Sequence, residues 1–114
     1  MKKKLFGFVI GLQSILCGQT IASEYVGKIN EILIRDDDGL VWVVLGEGVR
    51  TGAVPACATK GYMMIKNENS VTGKRQLALL MIAHTNNRTV YIEGAQKCSR
   101  WADGEDINLV SIRK

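Results

Sequence analysis

Short apolar runs separated by turn signals dominate the chain from residue 24 onward. Residues 24–35 carry β-branched and aromatic side chains among polar ones, which predicts a strand. The turn that follows, residues 36–39, ends in Asp-Gly, a strong hairpin signal. Residues 40–45 then form a continuous apolar run that includes Trp42, which we expect in the core. Together, residues 24–45 therefore predict a β-hairpin.

The middle of the chain changes from strand to helical spacing. Residues 46–56 hold three glycines and the only proline, which predicts a loop, and residues 62–65 predict a third strand. Thr72 is a candidate helix cap. After it, residues recur at helical spacing on one face, and further apolar residues widen that face: Leu77, Leu80, Met81 and His84, with Leu79, Ile82 and Ala83. So wide an apolar surface predicts a helix packed on more than one side.

Two further strands complete the pattern. Residues 89–94 alternate, with Val90 and Ile92 facing one way, and residues 106–112 close the chain as the last strand. The order strand, strand, strand, helix, strand, strand is that of the OB-fold. We therefore predict a mostly β (α+β) fold, a five-stranded OB-like barrel with one helix between strands 3 and 4. Other small α+β arrangements share this order.

The first 23 residues have the composition of a secretory signal peptide. Lysines at positions 2–4 precede an apolar stretch at 5–16, and small residues then allow a cut after Ala22 or after Ser23. The apolar stretch is too short to span a bilayer, which needs about 20 residues. We predict a signal peptide over 1–23 and one domain over 24–114, in a protein exported to the periplasm or secreted.

Removing that segment changes the charge. The full chain has 15 basic and 11 acidic residues and a net charge of +4. Losing three lysines leaves 15 − 3 = 12 basic residues against 11, a net charge of +1. No excess remains to neutralise phosphates, so no nucleic-acid partner is expected.

The cysteines fit an exported domain. Cys17 would be lost with the signal peptide; a lipid anchor at this residue is the alternative, although Leu16 stands where such signals carry a small residue. Cys57 and Cys98 form an even pair, which predicts one disulfide closing a loop of about 40 residues and stabilising the fold by about 3–4 kcal/mol. Two free buried thiols are the alternative. Zinc is not expected, because His84 is the only histidine and no close Cys-x-x-Cys pair occurs.

Nothing in the sequence arranges a nucleophile beside a base, so neither an enzyme nor a cofactor is predicted. The run Asp36–Asp38 offers oxygen ligands for calcium, but successive carboxylates alternate in direction, and we expect a solvated turn. His84 is expected to be structural. Asn87–Thr89 fits a glycosylation sequon, which is coincidental if the lysine-rich signal is bacterial.

A second acidic group follows Trp101 in the loop before the last strand: Asp103, Glu105 and Asp106. Carboxylates beside an indole can bind sugar hydroxyls or a cation. Alternatively, the group only fastens the loop. Trp101 itself either covers the barrel or offers an exposed ring. We take Trp101, Asp103 and Glu105 as candidate ligand-facing residues.

Four segments carry a family resemblance: Pro55-Ala56-Cys57-Ala58, the helix at 77–83, Val-Tyr-Ile-Glu-Gly at 90–94, and Cys-Ser-Arg-Trp-Ala-Asp-Gly-Glu at 98–105. They resemble small exported bacterial proteins and, more distantly, the B subunits of subtilase-cytotoxin-like and pertussis-like toxins. The resemblance covers most of residues 25–112. It implies a B subunit that assembles as a pentamer, a homo-oligomer, and binds cell-surface glycans. The chain lacks a second cysteine pair and the Trp-Thr-Tyr-Pro run that many such subunits carry, so no glycan-contacting residue is transferred.

These observations predict an exported, non-enzymatic binding module whose ligand is a glycan or a protein surface. The alternative is a periplasmic structural or inhibitor-type protein that binds a single protein partner.

Overall fold

The computed structural model describes residues 21–114. The predicted signal peptide lies outside the described residues except for its last three, and so does Cys17. Five strands and one helix follow in the predicted order: β1 (Glu24–Ile34), β2 (Val41–Thr51), β3 (Tyr62–Met64), α1 (Val71–Thr85), β4 (Val90–Gly94) and β5 (Glu105–Ile112).

The strands form a closed barrel in the order β1-β2-β3-β5-β4, and β1 closes it by pairing with β4. Neighbouring strands are antiparallel except β3 and β5, which run parallel. The helix α1 connects β3 to β4. The predicted five-stranded OB-like barrel is therefore confirmed.

Strand β2 is longer than the sequence pattern predicts. The loop expected at residues 46–56 is wrong over its first half, because β2 continues to Thr51 beside the start of β1. Gly48 of β2 allows the two strands to approach closely. It pairs with Gly27 of β1, and a Cβ on Gly27 would lie 2.5 Å from the Cα of Gly48. The hydroxyl of Tyr25 reaches the same place, 3.2 Å from the carbonyl oxygen of Glu47.

The barrel interior is apolar and follows strand alternation. Val41 and Val43 point inward and are buried, as are Val90 and Ile92, whose predicted shared face is confirmed. Trp42 lies between the two buried valines and points outward, half-buried. Its expected place in the core is therefore wrong, because neighbouring strand residues face opposite sides of the sheet.

Helix α1 packs against the barrel along one stripe only. It begins after Ser70, whose side chain accepts a hydrogen bond from the amide of Gly73 at 2.9 Å, so the cap is Ser70 and not Thr72. Leu80 and Ala83 are fully buried, whereas Met81 and Ile82 are 50% and 52% exposed. The expectation of a helix packed on more than one side is wrong, because residues 80 and 83 share one face of the helix and 81 and 82 do not.

Two features outside the regular elements hold the barrel together. A disulfide joins Cys57 to Cys98, as predicted, and ties the loop after β2 to the loop at residues 95–104. Before β1, Ser23 is fully buried, and its carbonyl oxygen accepts a hydrogen bond from the amide of Gly94 at 2.9 Å. Ser23 is therefore part of the barrel's hydrogen-bonded structure.

Candidate functional site

Two tryptophans meet on the outside of the barrel. Trp42 points outward from β2, and Trp101 comes from the loop at 95–104 that the disulfide tethers. Their ring centroids are 5.7 Å apart at an interplanar angle of 76°, an edge-to-face contact. The loop therefore brings the second ring to the strand that carries the first.

A shallow apolar groove lies beside Trp42. Leu33 is its cross-strand neighbour on β1, and Val44 pairs with Tyr62 of β3. These four outward-facing side chains line a groove of about 330 Å³, near the lower end of small-ligand sites. We call the groove together with Trp101 the aromatic surface.

Arg35 covers part of this surface. Its guanidinium carbon lies 5.2 Å from the ring centroid of Trp42 and 5.2 Å from that of Trp101, a double cation–π contact. The turn after β1 brings Asp38 back to the same guanidinium, with Nη2 at 2.8 Å and Nε at 3.2 Å from its two oxygens. The hydrogen bond to Arg35 lowers the pKa of Asp38 to about 2, so this carboxylate stays ionised at neutral pH.

A second arginine is neutralised close by. Arg100 donates to both oxygens of Glu68, from Nη2 at 2.6 Å and from Nε at 3.1 Å, and to the backbone oxygen of Asp38 at 3.2 Å. The bond from Arg100 lowers the pKa of Glu68. Both guanidinium groups near the aromatic surface thus already have carboxylate partners.

Tyr62 connects the aromatic surface to a carboxylate of the 95–104 loop. Its hydroxyl donates to Oδ1 of Asp103 at 2.6 Å. Burial and this hydrogen bond raise the pKa of Tyr62, so the phenol keeps its proton. Within residues 21–114, Asp103 forms no salt bridge. It presents an acceptor oxygen that no cation neutralises.

The structure brings together two of the three candidate ligand-facing residues. Trp101 and Asp103 are half-buried at the aromatic surface, and Trp101 packs against Trp42 as an exterior ring. Glu105 does not join them, because it has no exposed surface. Asp103 and Glu105 are only two positions apart in the sequence, but β5 begins at Glu105 and Asp103 is still in the loop.

Glu105 instead organises a buried polar cluster. It accepts hydrogen bonds from the Ser23 hydroxyl at 2.8 Å, Nη2 of Arg50 at 2.7 Å and the backbone amide of Gln96 at 2.9 Å. Gly94 leaves room for the carboxylate, since a Cβ there would lie 2.1 Å from Oε2. These contacts fit the alternative that the sequence left open for Glu105, that it fastens the loop and does not face a ligand.

Asp106 fastens the middle of the same loop. It is fully buried and accepts hydrogen bonds from the backbone amides of Ser99 and Arg100, each at 3.2 Å. The Ser99 hydroxyl donates to it as well. These bonds fix the backbone immediately before Trp101, so the indole is held in place by a buried anchor.

Sequence reasoning missed most of the site: Arg35, Tyr62 and Trp42, together with Leu33 and Val44. Strict alternation along β2 would have placed Trp42 outside. Tyr62 lies next to Val44 through the pairing of β2 with β3, whose register alternation does not give. Arg35 leaves no such signal, because its position over the rings depends on the turn that pairs it with Asp38.

Among residues 21–114 there is no group of three or more His, Cys, Asp or Glu side chains that could hold a metal ion. The helix in this part of the chain is too short to cross a membrane. His84 is exposed, with Nδ1 3.0 Å from the carbonyl oxygen of Ile29.

Fold and surface together define a disulfide-linked OB-like barrel with an aromatic outer face. No family model, curated protein or solved structure matches the chain.

Proposed function

We propose that this protein is an exported, non-enzymatic binding module that holds a glycan on the aromatic surface. The observation that carries the proposal is the convergence of two loops on one barrel face: the β1–β2 turn delivers Arg35, and the 95–104 loop delivers Trp101, both to Trp42. In OB-folds this face and these two loops are where oligosaccharides and oligonucleotides bind. The near-neutral charge of the domain favours the saccharide.

The chemistry of the surface suits a sugar ring. One face of a pyranose is a row of C–H bonds, which can pack on an aromatic ring, while its hydroxyls need hydrogen-bond partners at the rim. Trp42 and Tyr62 offer apolar ring area in the groove. Asp103 offers a carboxylate oxygen beside them. The resemblance to toxin B subunits points the same way and adds the expectation of a homo-oligomer.

Saturation-transfer NMR against a panel of oligosaccharides tests the proposal. The expected result is transfer to sugar protons in the parent protein and its loss in Trp42→Leu, which keeps an apolar side chain but removes the indole. Tyr91→Phe, on the outward side of β4, is the matched control and should bind as the parent does. Absence of transfer from every oligosaccharide, with the protein folded by circular dichroism, contradicts the proposal.

The exposed side of α1 supports a second candidate, a module that binds one protein partner. Met81 and Ile82 are half exposed, and Met81 also lines a recess that contains Ile34, itself 60% exposed. Apolar side chains grouped in this way are typical of protein interfaces. If this candidate is right, the exported protein elutes from a sizing column of a periplasmic extract in a larger complex, and Met81→Glu returns it to the monomer position. Unchanged elution of both forms contradicts it.

A further inference from the structure

The charged groups around the aromatic surface differ in their availability to a ligand. Arg35 and Arg100 both face carboxylates at 2.6–2.8 Å, so their positive charge is already neutralised. Asp103 receives only the neutral Tyr62 hydroxyl. A ligand that reaches the surface therefore meets an uncompensated negative charge but no uncompensated guanidinium.

The other charged groups next to the two arginines do not reverse this balance. Asp36 and Asp37 are exposed in the turn that carries Asp38, which adds negative charge next to Arg35. Lys66 is exposed and lines a neighbouring recess, but Asp38 and Glu68 line the same recess. The carboxylates of Asp38 and Glu68 remain ionised at neutral pH, since their arginine partners lower both pKa values.

We propose that the aromatic surface selects an uncharged saccharide and discriminates against the same saccharide when it carries a carboxylate. This inference rests on the proposed glycan-binding function and names the ligand class for that site. The hydroxyls of a neutral sugar can donate to Asp103, whereas a sugar carboxylate accepts only and is repelled by it. An anionic sugar that reached either arginine would meet a guanidinium whose charge a carboxylate already offsets.

A cationic ligand fits this surface less well. The best positions for a cation lie over the faces of Trp42 and Trp101, and the guanidinium of Arg35 already occupies a position 5.2 Å from each centroid. A second positive charge there would be repelled by Arg35. The groove that remains free, between Trp42 and Tyr62, is apolar and suits the C–H face of an uncharged ring.

The experiment compares matched pairs of sugars that differ only by one acidic group. Suitable probes are methyl galactoside with methyl galacturonide, and lactose with sialyllactose, titrated by NMR at low ionic strength into the full exported domain. We expect the neutral member of each pair to bind about tenfold more tightly, a difference that added salt should reduce because the repulsion is screened.

Two variants connect the discrimination to particular residues. Asp103→Asn removes the uncompensated charge and should bring the affinities of the paired sugars to within about twofold of each other. Asp38→Asn frees Arg35 and should improve binding of the acidic member. Glu24→Gln, which alters the carboxylate partner of Tyr91 on another face, is the matched control and should leave the ratio unchanged.

The possible outcomes separate this inference from the proposed function. Tighter binding of the acidic sugars overturns the inference but leaves glycan binding standing. Displacement of bound sugar by tetramethylammonium at lower concentration than by free neutral sugar also overturns it, in favour of a cation site. If no neutral or acidic sugar binds, both proposals fall.

Discussion

Tyr62 and Tyr91 stand at the centres of two similar polar groups on the outside of the barrel. Tyr62 donates to Asp103 at 2.6 Å, and Tyr91 donates to Glu24 at 3.0 Å. Each hydrogen bond raises the pKa of its phenol. Arg113 lies over Tyr91, with its guanidinium carbon 4.5 Å from the ring centroid.

The two groups differ in what surrounds the tyrosine. Tyr91 pairs with Val26 of β1 and Ser111 of β5, and Arg113 lies over its ring. Tyr62 adjoins a groove with Trp42, and its partner Asp103 comes from the same tethered loop as Trp101. A tyrosine–carboxylate pair is therefore ordinary surface structure here. What distinguishes the Tyr62 side is a loop that the disulfide and Asp106 fasten over a strand.

The largest change should follow removal of that tether. Replacing both Cys57 and Cys98 with serine should lower the free energy of unfolding by about 3–4 kcal/mol, because the unfolded chain regains the freedom of a closed loop. Urea unfolding measures the loss. Amide exchange should rise in residues 95–104 and stay unchanged around Tyr91. Equal exchange on both sides would show that the disulfide does not create the difference between them.

Glu105 anchors the start of the same loop from inside the barrel. Glu105→Gln should cost about 3 kcal/mol, because it leaves the guanidinium of Arg50, whose side chain is only 17% exposed, without a counter-charge. Asp103→Asn, two positions earlier on the Tyr62 side, is the control and should cost less than 1 kcal/mol. Equal midpoints of urea unfolding for the two variants would contradict the assignment of Glu105 to structure and Asp103 to the surface.

The two tyrosine hydroxyls provide the most direct comparison. Tyr62→Phe and Tyr91→Phe should each lower the free energy of unfolding by about 1 kcal/mol, the usual net value of such a hydrogen bond. Their effects on sugar binding should differ. Tyr62→Phe releases Asp103 and should weaken binding of a neutral sugar about fivefold, equivalent to about 1 kcal/mol. Equal binding by both variants would remove the functional distinction between the two groups.

The smallest effect is a titration. Carbon-13 NMR of the Asp38 carboxyl should show a midpoint near 2. Because Arg35 favours the ionised form, their interaction is complete above about pH 4 and is lost as pH falls through that midpoint. In Arg35→Gln the midpoint should rise toward 3.8, the ordinary value. A midpoint that the substitution leaves unmoved would show that Arg35 does not hold the turn.

The barrel was predictable because its signals are local. The alternation in β4 and the Asp-Gly turn each specify structure within a few residues. The disulfide follows from the number of cysteines, because Cys57 and Cys98 are the only two after residue 23. The glycines of β2 were misread, because Gly48 is required by a strand more than 20 residues away. The pattern of residues around Gly48 does not show that Gly27 will pair with it.

The site was predictable only in part for the same reason. Trp101 and Asp103 lie in the loop as the sequence suggests. Nothing in the sequence distinguishes Glu105 from Asp103 as a loop carboxylate. Only the pairing of β5 with β3 shows that Glu105 belongs to a strand and is buried. Arg35 and Tyr62 join the site through contacts between separate strands and turns. Their roles require the closed barrel to be known first.

The burial of Ser23 gives the two predicted cleavage positions unequal consequences. A cut after Ala22 keeps the hydroxyl that donates to Glu105 and the carbonyl oxygen that accepts from Gly94. A chain that starts at Glu24 lacks both and leaves buried polar groups short of a partner. If the chain is cut at these positions, the form that keeps Ser23 is therefore expected to unfold at a higher urea concentration than the form that starts at Glu24.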